Sequence, residues 1–173
     1  IILVLQQKGL INQMLTATKS SRINISDEEK TKLVANKLSK HLKAGDVLLL
    51  NGELGVGKTT FVKYLINFLQ KNSNQTITEI TSPTFNIIHE YYLESLVIKH
   101  CDLYRINDEK ELENLDIFEN VKKQITLIEW PEIIKKYKIN NKLEIFFQYD
   151  QNFNNRFITF SSSKKNTFLN EIS

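Results

Sequence analysis

The chain has 173 residues and a mass of 20.2 kDa, with 41% hydrophobic and 25% charged residues, enough for one domain with a sizeable core; a disordered or fibrous chain is excluded. Twenty-three basic against 20 acidic residues leave a net charge of +3, too mild to signal a nucleic-acid partner by itself. Cys101 is the only cysteine, which excludes an intrachain disulfide and the usual zinc spacings.

The longest apolar runs, Ile1–Leu5 and Val47–Leu50, fall far short of the roughly 20 residues that a spanning helix needs, and no basic flank marks a signal peptide. The default expectation is a cytoplasmic protein. The only methionine is Met14, so residues 1–20 are set apart as a doubtful N-terminal extension, residues 21–162 as the domain and 163–173 as a tail.

Arg22–Ile25 reads as a short strand. Ser26-Asp27-Glu28-Glu29 has the form of a capping box with Ser26 as the cap, and Leu33, Val34, Leu38 and Leu42 follow at helical spacing, predicting a helix from Asp27 to Leu42. Gly45-Asp46 is turn chemistry, and Val47–Leu50 is a short, continuous apolar run expected of a strand buried on both faces. A helix over Lys58–Gln70 turns Phe61, Leu65, Phe68 and Leu69 inward. Thr76–Ile80 reads as a strand leading into Ser82-Pro83-Thr84, and Phe85–Tyr92 with Leu96–Asp102 as a hairpin. Asp108–Leu115 reads as a helix, Ile125–Glu129 as a second buried strand and Glu132–Tyr137 as a short helix. Leu143–Tyr149 and Arg156–Phe160 would close the sheet around an Asn-rich turn. Strands alternating with helices point to an α/β fold with at least one antiparallel pair.

Gly52-Glu53-Leu54-Gly55-Val56-Gly57-Lys58-Thr59 satisfies the pattern G-x-x-x-x-G-K-[ST] in full and holds three of the chain's five glycines. Without side chains the backbone can curl until successive N–H groups point at one phosphate, and the helix that starts there adds the positive end of its dipole. Lys58 supplies a point charge for β- and γ-phosphates, and Thr59 a hydroxyl placed to ligate Mg2+. The apolar strand before the loop and the amphipathic helix after it are the context the motif demands.

A hydrolase of this class needs a further carboxylate at the end of a neighbouring apolar strand, to hold Mg2+ or its water. Asp102 and Glu129 both stand at such ends. Ser82-Pro83-Thr84 either places a hydroxyl near the γ-phosphate, as switch loops do, or is a rigid turn. Asn141-Lys142-Leu143-Glu144 is the nearest string to a guanine-reading motif; its last residue and its place before a strand are both wrong, which disfavours GTP. Small-molecule kinases usually clamp the transferred group with several arginines, whereas this chain has only Arg22, Arg105 and Arg156. A P-loop kinase of small molecules and a nucleotide-gated binding module without useful turnover are the alternatives to an ATPase.

Four ordered motifs resemble the TsaE (YjeE) family: Gly52–Thr60, Ser82-Pro83-Thr84-Phe85, His100-Cys101-Asp102-Leu103-Tyr104-Arg105 and Ile128-Glu129-Trp130-Pro131-Glu132, over residues 23–160. The resemblance implies a P-loop NTPase-type three-layer sandwich, with a mixed, mostly parallel sheet and an antiparallel hairpin. It implies a protein that binds ATP and Mg2+, hydrolyses ATP weakly alone and acts on the TsaD–TsaB complex, which makes threonylcarbamoyladenosine in tRNA. It would meet tRNA only through that complex, and neither DNA nor a membrane. By motif, Gly52, Gly55, Val56, Gly57, Lys58, Thr59 and Thr60 would bind phosphates. Thr59, Glu129 and Asp102 would make up the Mg2+ site, and Lys58, Asp102 and Glu129 would serve hydrolysis. Thr84 would lie in a switch-like loop, Trp130 near the nucleotide, Glu28 at its nucleoside end and Arg156 at a C-terminal basic contact. Asp116 stands where the family commonly has glycine, at a left-handed helix end that Asp tolerates with strain.

His89 and His100 could face each other across the hairpin with Cys101 adjacent, but neighbouring strand residues point to opposite faces, and packing is the plainer reading than a metal site. Cys101 reads as a small buried hydrophobe. The pairs Lys122-Lys123, Lys135-Lys136 and Lys164-Lys165 read as solvated surface, and Phe146, Phe147, Phe157 and Phe160 as core.

Overall fold

The computed structural model describes residues 19–162 and 167–172. In chain order these form β1 (Ile23–Asn24), α1 (Glu28–Ser39), β2 (Val47–Asn51), α2 (Lys58–Asn72), β3 (Ile88–Leu93), β4 (Leu96–Asp102), α3 (Glu109–Glu113), β5 (Gln124–Glu129), β6 (Lys142–Tyr149), β7 (Arg156–Ser162) and α4 (Thr167–Glu171). Single 3-10 turns, Val121–Lys123 and Pro131–Ile134, flank β5.

Seven strands make one sheet in the order β1-β7-β6-β2-β5-β4-β3. Its four central strands, β6, β2, β5 and β4, run parallel, and the pairs β3/β4, β6/β7 and β1/β7 are antiparallel. The sheet is mixed and α/β as expected, with parallel pairing confined to its centre.

Alternation of side chains along β2 explains why its run of apolar residues is unbroken. Leu48 and Leu50 join a core with Phe61, Leu65 and Ile66 of α2 and with Val34 and Leu38 of α1. Val47 and Leu49 point the other way, into a second core with Cys101, Ile128, Leu112 and Ile134. The sheet is thus covered on one face by long helices and on the other by the short turns of residues 103–139. Cys101 is a buried apolar filler, and burial pushes its thiol up to about 12.

Several local expectations change in the structure. Asp27, not Ser26, caps α1, its carboxylate accepting from the Glu29 N–H at 2.9 Å. The Ser26 hydroxyl is taken instead by the backbone N–H of Arg156 at 2.8 Å, a partner 130 residues away. Helix α1 ends at Ser39, three residues short of Leu42, and α3 spans only Glu109–Glu113. Thr76–Ile80 forms no strand: the Thr78 N–H is claimed at 3.1 Å by the side-chain oxygen of Gln70, not by a neighbouring strand. The segment expected as a helix after Glu132 is the 3-10 turn Pro131–Ile134. Phe147 and Phe160 are core, whereas Phe146 and Phe157, on the opposite face of their strands, are half-buried, with the Arg22 guanidinium 3.6 Å above the Phe157 ring.

Residues 163–173, read as a tail, include α4, whose Phe168 and Leu169 are buried and whose Phe168 ring meets Phe160 edge-on at 5.3 Å. Lys164 and Lys165, and the extension before residue 19, lie outside the described residues, while Lys122, Lys123, Lys135 and Lys136 are exposed. Because Phe168 fills a site in the core, Phe168→Ala is expected to cost about 3 kcal/mol in urea unfolding, against less than about 0.5 kcal/mol for a residue in a loose tail.

Candidate functional site

Strand β2 ends at Asn51, and the chain then turns through Gly52, Gly55 and Gly57 with φ of +145°, +78° and +108°. Side-chain-bearing residues rarely adopt these values. At Gly52 the limit is also one of space, since a Cβ there would lie 2.6 Å from the Phe147 carbonyl oxygen. Val56, fully buried, pins the loop onto the core. Gly57 is the N-cap of α2 and supplies no capping side chain, which leaves the first N–H groups of a 15-residue helix for an external acceptor.

Lys58 opens α2, and its ammonium folds back under the loop. It donates to the carbonyls of Gly52 at 2.7 Å and Glu53 at 2.9 Å, and lies 3.8 Å from the centre of the Trp130 ring. Burial pushes its pKa below the ordinary lysine value, and Glu129, Asp102 and Glu132 pull in the opposite sense. The buried cation is therefore compensated by dipoles and by carboxyl groups across the site.

Those carboxyls come from the neighbouring strand ends. Parallel register sets Leu50 beside Glu129 and Asp102 beside Glu129, so both acids reach the same edge of the sheet as the loop. Thr59 Oγ1 donates to Glu129 Oε2 at 2.9 Å, and the second oxygen, Oε1, lies 2.9 Å from His100 Nε2. Asp102 is engaged elsewhere: its Oδ2 accepts from Thr84 at 2.7 Å and Ser82 at 3.1 Å, and its Oδ1 from the Tyr104 N–H at 3.1 Å. The 82–84 loop is thereby tied to the end of β4, one strand away from Glu129.

Trp130 follows Glu129 with a left-handed backbone, φ +57°, that a bulky residue adopts only under strain, and its ring packs 4.8 Å from Tyr104. Asp116 also has the left-handed conformation expected of it, at φ +47°. Arg156 Nη2 donates to the Ser26 carbonyl at 3.2 Å, and Nη1 would meet a Cβ on Gly57 at 3.6 Å, which places the guanidinium beside the loop. Glu28, at the start of α1, is bonded to Tyr64 of α2 and paired with Lys32 at 3.3 Å. Thr60 is exposed on the first turn of α2.

The structure thus gathers Lys58, Thr59, Glu129 and Trp130 into one group, sets Asp102 with Thr84 beside it, and places Arg156 at the loop's rim. The sequence presents His100 in the His100–Arg105 motif and as a partner of His89 and Cys101. In the structure His89 and His100 stand opposite each other in the β3/β4 ladder as expected, but His89 bonds Asn86, Cys101 turns to the opposite core, and His100 meets Glu129. Its spacing from Asp102 was the available signal, because residues two apart on a strand share a face.

A hydroxyl and carboxyl oxygens are hard donors suited to Mg2+. Among the described residues no cluster of three or more His, Cys, Asp or Glu forms a metal cage.

Residues 25–158 match the family model described as "Threonylcarbamoyl adenosine biosynthesis protein TsaE". The chain is 40% identical over 116 residues to the tRNA threonylcarbamoyladenosine biosynthesis protein TsaE of Rickettsia bellii, covering 67% of this chain and 78% of that one. It is likewise 40% identical over 118 residues to the TsaE of Bacillus subtilis, covering 68% and 70%. The crystal structure of Bacillus subtilis YdiB superposes with a TM-score of 0.63 at 28% identity, over 84% of this chain and 86% of that one.

Gly52→Ala is expected to destabilise the fold by at least about 2 kcal/mol in urea unfolding, since the new methyl collides with a strand carbonyl at a φ that alanine resists.

Proposed function

The chain belongs to the TsaE family, whose members serve tRNA threonylcarbamoyladenosine biosynthesis, and from that premise we propose that it binds and hydrolyses ATP to drive the TsaD–TsaB complex. The observation that carries this reading is the Thr59–Glu129 bond beside a lysine curled under a glycine-rich loop. Family membership supports the pathway, and the donor set supports the chemistry.

In this reading the Gly55, Val56, Gly57 and Thr60 N–H groups cradle phosphate, and Lys58 exchanges the Gly52 and Glu53 carbonyls for phosphate oxygens. That exchange conserves hydrogen bonds while pairing the cation with an anion, so it favours the bound state. Thr59 and Glu129 would hold Mg2+, which when bound screens the phosphate charge. Asp102 anchors Ser82 and Thr84 beside that position and keeps the loop within reach of a terminal phosphate. Trp130 walls the Lys58 side, Arg156 beside Gly57 would make the C-terminal basic contact, and Glu28 would meet the nucleoside end. The chain itself does not modify RNA in this account: it meets tRNA only through the partner complex, and turnover resets that complex.

With purified TsaD–TsaB, threonylcarbamoyl-adenylate, ATP and tRNA, adding the chain is expected to give multiple-turnover product, and equal product with and without it would contradict the role. Glu129→Gln is expected to lower ATP hydrolysis roughly 100-fold or more while leaving nucleotide binding, read from the emission of Trp130, the single tryptophan, largely intact.

A further inference from the structure

His100 lies in the buried surroundings of Glu129 and touches neither the glycine loop nor the 82–84 loop through any side-chain hydrogen bond among the described residues. His100 is fully buried and Glu129 is 2% exposed, so their contact at 2.9 Å is made out of water. With Thr59 on Oε2 and His100 on Oε1, both carboxyl oxygens are held, by donors from two different elements. The torsion that turns a glutamate carboxyl is broad and roughly two-fold, so the Thr59 bond alone does not fix its plane.

We propose that His100 is a positioning residue for this site: it holds the Glu129 carboxyl in the one rotation that keeps Oε2 on Thr59. The inference rests on the ATPase reading, for which it names the group that aims the strand-end acid. Packing alone does not account for an imidazole here. Nδ1 of His100 is buried with no hydrogen-bond partner among the described residues, a cost in stability that leucine would not incur. An ionised Glu129 can only accept, so in this contact Nε2 carries the proton and donates.

Register explains how the contact arises. His100 pairs with Leu127 and Asp102 with Glu129 in the parallel β4/β5 ladder, and these four side chains share one face. His100 therefore reaches Glu129 on the diagonal, while Asp102, directly opposite Glu129, is held by Ser82 and Thr84. One strand thus supplies both the anchor of the 82–84 loop and the brace of the acid beside it.

The test is ATP hydrolysis by wild type, His100→Leu, His100→Gln and His100→Asn, alone and combined with Glu129→Gln. His100→Leu is expected to lower kcat roughly 10- to 100-fold, with the ATP KM changed less than about threefold. His100→Gln, whose amide reaches the position of Nε2, is expected to recover most of the rate; His100→Asn, one bond shorter, is not. Adding Glu129→Gln to His100→Leu should cost little more than Glu129→Gln alone, the mark of two groups acting as one. A kcat within twofold of wild type for His100→Leu, or additive losses in the double variant, would overturn the proposal. If His100→Leu does not fold, equal rates for His100→Gln and His100→Asn would overturn it, and a higher rate for Gln would support it. A wild-type chain without any turnover would instead remove the ATPase reading itself.

Discussion

Parallel pairing of β2 with β5 and of β5 with β4 is the constraint from which the candidate site follows. With Leu50 beside Glu129 and Glu129 beside Asp102, three strands end level, and whatever follows each of them meets at one edge. A shift of one residue in either ladder would turn Glu129 or Asp102 to the opposite face, into the second core. The apolar side chains of β2, β4 and β5 prevent that slip, because both faces of these strands are buried and each register error would expose one core or load the other. Packing energy spent on the sheet thereby becomes positional precision at its edge, the place where open parallel sheets commonly bind ligands.

Within that edge most of the functional polar groups hold one another, with His100 Nδ1 and Asn51 Oδ1 buried and unpartnered among the described residues. Lys58 rests on two loop carbonyls, Thr59 and His100 share the Glu129 carboxyl, and Ser82 and Thr84 share Asp102. Most of these bonds are of a kind that an arriving anion and cation could replace one for one. The site is thus held in shape before any ligand arrives, which lowers the ordering cost of binding. Trp130 carries strain in a left-handed backbone that turns the chain sharply after Glu129 and sets the indole against Lys58 and Tyr104.

Most of this was legible in the sequence where the causes are local. The glycines of the loop, the run Val47–Leu50 and the period of α2 each act over a few residues, and the structure places them as expected. Expectations failed where a distant group intervened. Ser26 is as good a cap as Asp27 in isolation, but Arg156 claims its hydroxyl from the far end of the chain. The β-branched content of Thr76–Ile80 favours a strand, yet Gln70 holds Thr78 and no strand pairs there. The apolar residues Phe168 and Leu169 read as tail because five helical residues carry too little period to announce a buried face. The link from His100 to Glu129 is illegible for a related reason: the two lie 29 residues apart, and only the ladder register connects them.

The central claim is that the curl from Gly52 to Thr59 holds a triphosphate with its magnesium ion, and calorimetric titration of ATP into the purified chain addresses it most directly. The account predicts saturable binding at one site per chain, strengthened by Mg2+ and weakened by a few kcal/mol when Lys58 is replaced by alanine, about the scale of one charged hydrogen bond to a buried anion. No detectable binding with Mg2+ present, or an affinity that Lys58→Ala leaves unchanged, would contradict it.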